Sequence, residues 1–408
     1  MKSKRRRINK ITFAVVAVFM LLAAGCGSSA KISETTSQPA NDLFPDKPHK
    51  KVNNLYVLGD SLSDTGNLFT IIDGLLLNHN IRMQSPPASV GGQKFSNNYL
   101  VAEYVAAHYE VSLGNGWKLA NLKKDIMKAV EKEAIHKLVP WLTAFNNNGE
   151  ADKSLFETIK LISSDVGGKA EGNNYAVANS TIIPYEGVVN EFFAQFSLAK
   201  QVDLHRSESS EKVASENTLH LVIIGGNDIA IITSMKTTAE QKEEKIQEVA
   251  LAYIKQINEL KEMGAKKILV STAPQIGNTP AFFQTQLRDQ ANHLSALLEE
   301  GVSTHISKNF LENEVSFVSL SKTLNDELVH WPKNRQNQAC VRDITARYFN
   351  LPHFVLHRGE LAAKYNKGCN QSSLTDGEFV YYDNFHGTDK LYQLVSRHYI
   401  DAIDRLMQ

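Results

Sequence analysis

The chain has 408 residues, 42% of them hydrophobic, and its 44 basic side chains balance 44 acidic ones. It is long and apolar enough to bury a sizeable core, and it offers no basic face of the kind that nucleic acid needs.

Six basic residues (Lys2, Lys4, Arg5, Arg6, Arg7 and Lys10) precede an uncharged stretch of 14 residues, Ile11 to Ala24. That stretch is too short to span a bilayer comfortably and fits the apolar core of a secretory signal over residues 1–25. Its removal leaves 38 basic against 44 acidic residues, a net charge near −6. The signal ends in Leu21-Leu22-Ala23-Ala24-Gly25-Cys26, which resembles the lipobox of bacterial lipoproteins, where the cysteine becomes the lipidated first residue. Ala23 stands where that pattern has leucine, so cleavage after Ala30 is the alternative. The expected protein is therefore exported, as an outer-membrane lipoprotein of the cell envelope or in secreted form. Residues 26–50 are rich in Ser, Thr, Pro and Asn and read as a flexible tether with an rms reach of roughly 25–30 Å. With Cys26 lipidated, Cys340 and Cys369 are left as a pair in an oxidising compartment. A disulfide between them closes 28 intervening residues. The chain-entropy model credits such a loop with roughly 3–4 kcal/mol. Two free buried thiols are the alternative.

After the tether, strands alternate with helices. Leu55–Leu58 is a short β-rich run that stops at Gly59-Asp60-Ser61-Leu62-Ser63-Asp64-Thr65-Gly66-Asn67. A serine there sits at the carboxyl end of a strand, where open α/β sheets build their sites. If the turn opens a helix, the hydroxyl lies near free N–H groups and the positive end of the dipole. An ordinary turn is the competing reading. Further strands are expected at Tyr175–Val177, Leu219–Ile224, Lys267–Thr272 and Val315–Leu320. Helices are expected at Tyr99–Tyr109, Val188–Val202, Ala239–Met263, Gln284–Lys308 and Asp389–Leu406, the last with Thr388 as N-cap. Continuous apolar strands separated by helices predict one three-layer α/β domain over 51–408 with a parallel sheet covered on both faces.

A nucleophilic serine needs a base and an orienting acid. Asp383-Asn384-Phe385-His386 supplies both, three residues apart in a loop before the last helix. Gly225-Gly226-Asn227-Asp228 follows a strand directly and can project the Asn227 amide as an oxyanion donor. His353 and His357 have no acid between them and read as loop histidines, so no metal and no cofactor is expected.

Together the three sites resemble the GDSL, or SGNH, hydrolase family, over nearly the whole mature domain. Pro86-Pro87 and Lys94-Phe95-Ser96-Asn97 are similar to its Pro-Pro…Gly-Arg-Phe-Ser-Asn segment, and Ala273 to Pro280 to its Leu-Pro-x-Leu-Gly-x-Thr-Pro turn. The resemblance implies a flavodoxin-like α/β/α fold. It makes Ser61 the nucleophile, His386 the general base and later acid, and Asp383 the orienting carboxylate. The implied oxyanion donors are the Ser61 N–H, the Asn227 side chain and one more backbone N–H, at Asn179 or Ala178. There the chain departs from the family's Asn-Tyr-Ala-Val-Gly-Gly-Ala block, which reads Asn174 to Ser180 with Ala178 and Asn179 in place of glycines. Asparagine tolerates the left-handed region better than most residues. A second departure, Gly387 for the usual proline, is expected to loosen the catalytic loop.

Within the family the chain looks most like the exported bacterial phospholipases A, lysophospholipases and glycerophospholipid:cholesterol acyltransferases. A lipid partner and membrane-surface contact follow from that likeness. A long insertion relative to the family's spacing, about 112–168, is helical and amphipathic through Leu119, Leu122, Ile126, Val130, Ile135, Leu138, Trp141 and Leu142. It reads as an added helical layer or as a lid. The 340–369 loop is expected to shade the site and to open on proteolytic nicking. A carbohydrate or short-chain esterase and a catalytically impaired surface-binding lipoprotein are the rival readings.

Overall fold

The computed structural model describes residues 52–76, 93–118, 168–169, 171–186, 190, 193–208, 210–342 and 364–408. The leader, Cys26, the tether, Pro86-Pro87, His353, His357, the body of the insertion and most of the 340–369 loop lie outside these residues. Strands among them are β1 (Asn54–Gly59), β2 (Trp117–Lys118), β3 (Gly168–Lys169), β4 (Thr218–Ile223), β5 (Lys267–Ser271), β6 (Val315–Phe317), β7 (Val341–Arg342) and β8 (Lys364–Tyr365). The longer helices are α1 (Asn67–Leu76), α2 (Val101–His108), α3 (Leu198–His205), α4 (Gly226–Ser234), α5 (Ala239–Glu262), α6 (Arg288–Asn309), α7 (Leu320–Glu327) and α8 (Asp389–Leu406).

The main sheet is parallel, in the order β1-β4-β5-β6, with Asn54 opposite Thr218 and Gly59 opposite Ile223. Alternate side chains leave these strands on opposite faces, and both faces are buried. Tyr56, Leu58, Val222, Ile268 and Val270 join one core with Val202 of α3, Tyr253 of α5 and Leu298 of α6. Leu55, Val57, Leu221, Ile223 and Leu269 join the other with Tyr104 of α2, Leu324 of α7 and Val395 of α8. This is a three-layer α/β/α fold, with the continuous apolar strands that double coverage requires.

Several expected boundaries move, among them the start of α6, at Arg288 and not Gln284, and three have a local reason. Tyr175–Val177 runs parallel to β1, with Tyr175 N–H on the Val57 carbonyl (2.7 Å) and Val177 N–H on that of Gly59 (3.2 Å), yet it forms only an isolated bridge. The next rung would run from the Gly59 N–H to the Tyr175 carbonyl, but that N–H donates to Gln201 (2.7 Å) and that carbonyl accepts the Trp117 indole N–H (2.8 Å). Counting this segment, the sheet has the chain order 2-1-3-4-5 of a flavodoxin-like sheet, with its switch point between β1 and β4. The strand expected to reach Leu320 stops at Phe317, because Ser319 accepts the Lys322 N–H and caps α7. The expected Val188–Val202 helix is broken by a 3₁₀ turn at Ala194–Phe196, after which α3 runs Leu198–His205; Asn190 and Phe193, ahead of the turn, are helical. Helix α8 begins where expected, but the Thr388 hydroxyl does not cap it. That hydroxyl donates to the carbonyls of Phe379 and Val380 instead, and Asn97 Oδ1 takes the Asp389 N–H (2.8 Å). At the neck of the insertion Trp117 pairs with Lys169 and Lys118 with Gly168, in the two-rung ladder of β2 and β3.

Candidate active site

Gly59 ends β1 because nothing larger fits: a Cβ there would stand 2.3 Å from the Ile223 carbonyl oxygen of β4. Buried Gln201 of α3 grips the same residue twice, accepting the Gly59 N–H (2.7 Å) and donating to its carbonyl (2.8 Å). The chain then turns at once. The Asp60 carbonyl accepts the N–H groups of Ser63 and Asp64, both at 3.0 Å. Ser61 therefore sits on a single tight turn, and the helix behind it starts only at Asn67, so the serine does not occupy a helix N-terminus.

Two buried carboxylates lock this turn to its neighbours. Asp60 accepts from Leu62 (3.1 Å) and, across the switch point, from Gly225 (3.3 Å) at the end of β4. Asp64 accepts from Gly66, Asn67 and Leu68, which caps α1, and from Ala178 (2.8 Å). Burial pushes both carboxyl groups up to about 6, against the pull of those N–H donors. A third, Asp228, holds the Ile182 N–H and the Tyr185 hydroxyl, and burial pushes it to about 7.

His386 Nε2 lies 2.7 Å from Ser61 Oγ, across 325 positions of chain. Its Nδ1 lies 2.8 Å from each oxygen of Asp383, which is fully buried. A carboxylate can only accept, so Nδ1 carries the proton and Nε2 is free to take one from the serine. Asp383 Oδ1 also accepts the N–H groups of Phe385 and His386, both at 2.8 Å, which folds the four residues into one tight loop. The Tyr382 N–H donates to the His386 carbonyl (2.8 Å). Gly387 does not loosen this loop. Its N–H, which proline would lack, donates to the Tyr392 hydroxyl (2.8 Å), and a Cβ there would meet Leu391 at 2.9 Å. Behind the loop, Cys340 and Cys369 form a disulfide with Cα atoms 5.2 Å apart. Cys340 and Val341 donate to the carbonyls of Tyr381 and Tyr382, so the antiparallel pair of β7 and β8 is pinned next to Asp383.

Of the two residues expected to share the remaining oxyanion role, Ala178 is ruled out, because its N–H is spent on Asp64. Asn179 adopts the left-handed conformation (φ 66°), and no acceptor among the described residues takes its N–H. The Ser61 N–H is likewise without an acceptor among them. Asn227, in the first turn of α4, uses one amide hydrogen on the Ser180 carbonyl (2.8 Å) and keeps the second. Three donors thus stand on turns that Asp60, Asp64 and Asp228 tie together. Such a constellation can pass a proton from serine to histidine and receive an oxyanion.

Residues 55–399 match the family described as GDSL-like lipase/acylhydrolase. The chain belongs to that family. A GDSL esterase/lipase of Arabidopsis thaliana is 20% identical over 398 residues, covering 93% of this chain and 96% of the relative. A second one from the same plant is 20% identical over 360 residues, covering 85% and 89%.

Sequence reasoning missed several residues that shape this GDSL site. Gln201 lies within the expected Val188–Val202 helix and in none of the motifs, although a glutamine on the apolar face of a helix signals a buried amide with a partner. Asp64 lies inside the Gly-Asp-Ser block, three residues before Asn67, and that cap-like spacing was its available signal. Nothing in the sequence ties Tyr392 to Gly387.

Proposed function

We propose that this GDSL-family esterase/lipase is a serine-dependent lipolytic acyl hydrolase acting on phospholipid or lysophospholipid esters, with acyl transfer to cholesterol as a second outlet. The observation that carries the serine chemistry is the continuous relay of Asp383, His386 and Ser61. In this reading His386 takes the hydroxyl proton as Ser61 Oγ attacks the ester carbonyl. Ser61 N–H, Asn179 N–H and Asn227 Nδ2 receive the charge that develops on the carbonyl oxygen. Collapse expels the alcohol, protonated by His386, and leaves an acyl-enzyme. Water, or a sterol hydroxyl, activated by the same histidine then releases the acyl group.

Support for a lipid ester comes from the approach to the base. Phe95 and Phe385, both half-buried, flank the His386 ring. The secretory leader and the likeness of Lys94–Asn97 to exported bacterial phospholipases agree with that class. The same leader supports export, with Cys26 as the lipidated anchor. Fractionation with mass spectrometry of the amino terminus tests this, and a chain starting at Lys31 without lipid would sink the anchor.

The decisive assay compares the protein and its Ser61→Ala variant on phospholipid, lysophospholipid, acetylated sugars and p-nitrophenyl esters, with and without cholesterol. Release of fatty acid from phospholipid by the parent alone supports the proposal. Activity confined to acetylated sugars replaces the substrate class, and equal activity of the two proteins overturns the serine mechanism.

A further inference from the structure

The Phe95 ring covers one face of the His386 imidazole, with centroids 5.2 Å apart and planes 20° from parallel. Phe385 approaches the same imidazole at 63°, its centroid 6.5 Å away. Phe95 is itself fixed from behind, where Phe69 of α1, buried to 1% exposure, packs against it at 5.7 Å. Its chain neighbours are anchored as well. Lys94 is buried with Nζ 2.5 Å from Glu103 of α2, and Asn97 Oδ1 accepts the first N–H of α8.

Two physical consequences follow. An imidazole held only at its two nitrogens can tilt about the line between them, and a ring lying nearly parallel on its face resists that tilt. When serine attacks, the imidazole becomes a cation, and the negative face of an aromatic ring attracts a cation most strongly where water is excluded. The His386 side chain is only 10% exposed. We infer that Phe95 is a positioning residue for acyl transfer, setting the plane of His386 and stabilising its cationic form. This rests on the Ser61–His386 relay proposed above. The aromatic face is worth roughly 3- to 30-fold in rate.

The test reads the reactivity of Ser61 without needing the natural ester. A fluorophosphonate probe is reacted with the whole protein and with Phe95→Leu, Phe95→Tyr and Phe95→Trp, and the labelled residue is located by mass spectrometry. Leucine keeps the bulk and removes the aromatic face. The expected result is labelling of Ser61 slowed roughly 3- to 30-fold in Phe95→Leu, restored in the tyrosine or tryptophan variant, with melting temperature unchanged. On a p-nitrophenyl ester kcat falls in step while KM stays. Parent and leucine variant labelling at the same rate overturns the inference and leaves the serine reading intact. So does an equal loss in all three variants accompanied by a lowered melting temperature, which shows packing alone. A parent that is not labelled at Ser61 overturns the serine reading and this inference together.

Discussion

Strands β1 and β4 carry two sets of buried titratable groups, and only one of them is built for chemistry. Midway along the strands, His220 of β4 and His205 of α3 meet through Nε2 atoms 3.0 Å apart, under the ring of Tyr56. Both histidines are fully buried. Past the carboxyl ends, His386 bonds to a serine on one side and a carboxylate on the other. The difference is the partner. In the first pair the Nε2 of one imidazole faces the Nε2 of another, so that contact offers an arriving proton an imidazole and not a carboxylate. In the second, Asp383 waits for the cation. Burial of a histidine therefore says little about function until its second nitrogen is accounted for.

The sharpest way to break this comparison is to remove the chemistry from the second set. Ser61→Ala should lower ester turnover by roughly 10⁴–10⁶ while a melting curve stays put. Asp383→Asn should cost about 10⁴ through the wrong tautomer. A Ser61→Ala protein that keeps a tenth of its activity would show that the relay is ornamental. Asn227→Ala should cost about 10²–10³ in kcat with little change in KM, as expected for a donor that acts on the developing oxyanion. An equal rise in KM would place it in ground-state binding instead.

The histidine pair should answer to pH rather than to turnover. Burial, reinforced by His205, pushes His220 down to about 3. In the unfolded chain it titrates near 6.5, so below that pH only the unfolded state takes the proton. Its contribution to stability is complete above pH 6.5 and drains away as pH falls toward 3, a loss of roughly 2 kcal/mol by pH 5. The raised carboxylates Asp60, Asp64 and Asp228 run the other way: their contribution is complete below about pH 4 and is lost as pH rises through 6–7. His220→Gln should thus narrow the drop in melting temperature between pH 7 and pH 5 by a few degrees, with ester turnover at pH 7 unchanged. An unaltered drop would mean that the pair does not set the acid limit. The smallest effect expected is local: Gly387→Pro, which removes the N–H to Tyr392, should destabilise by about 1–3 kcal/mol.

How far the fold could be read from the chain depended on the range of the cause. Strand β5 and helices α5 and α8 announce themselves through apolar runs and periodicity, and their bounds fall within a residue or so of expectation. The Gly-Asp-Ser, Gly-Gly-Asn-Asp and Asp-x-x-His blocks are local patterns, and each ends at the switch point. What escaped was made by partners far apart in the chain. Gln201 reaches Gly59 over 142 positions, and Asp64 reaches Ala178 over 114. No local pattern says which of Ala178 and Asn179 keeps a free N–H. The positive φ at Asn179 and the reach of Asp64 decide it.

The three buried carboxylates accept almost entirely from main-chain N–H groups: Leu62 and Gly225 for Asp60, Gly66, Asn67, Leu68 and Ala178 for Asp64, Ile182 for Asp228. A donor that belongs to the peptide bond is supplied by every residue except proline. At Leu62, Leu68, Ala178 and Ile182 the frame is thereby insulated from drift, because the donor stays when the side chain changes, whereas Gly66 and Gly225, at φ 133° and 128°, are held to glycine. Ala178, at a glycine position of the block that Asn174–Ser180 resembles, keeps its N–H on Asp64 and shows such a donor served by a residue with a side chain.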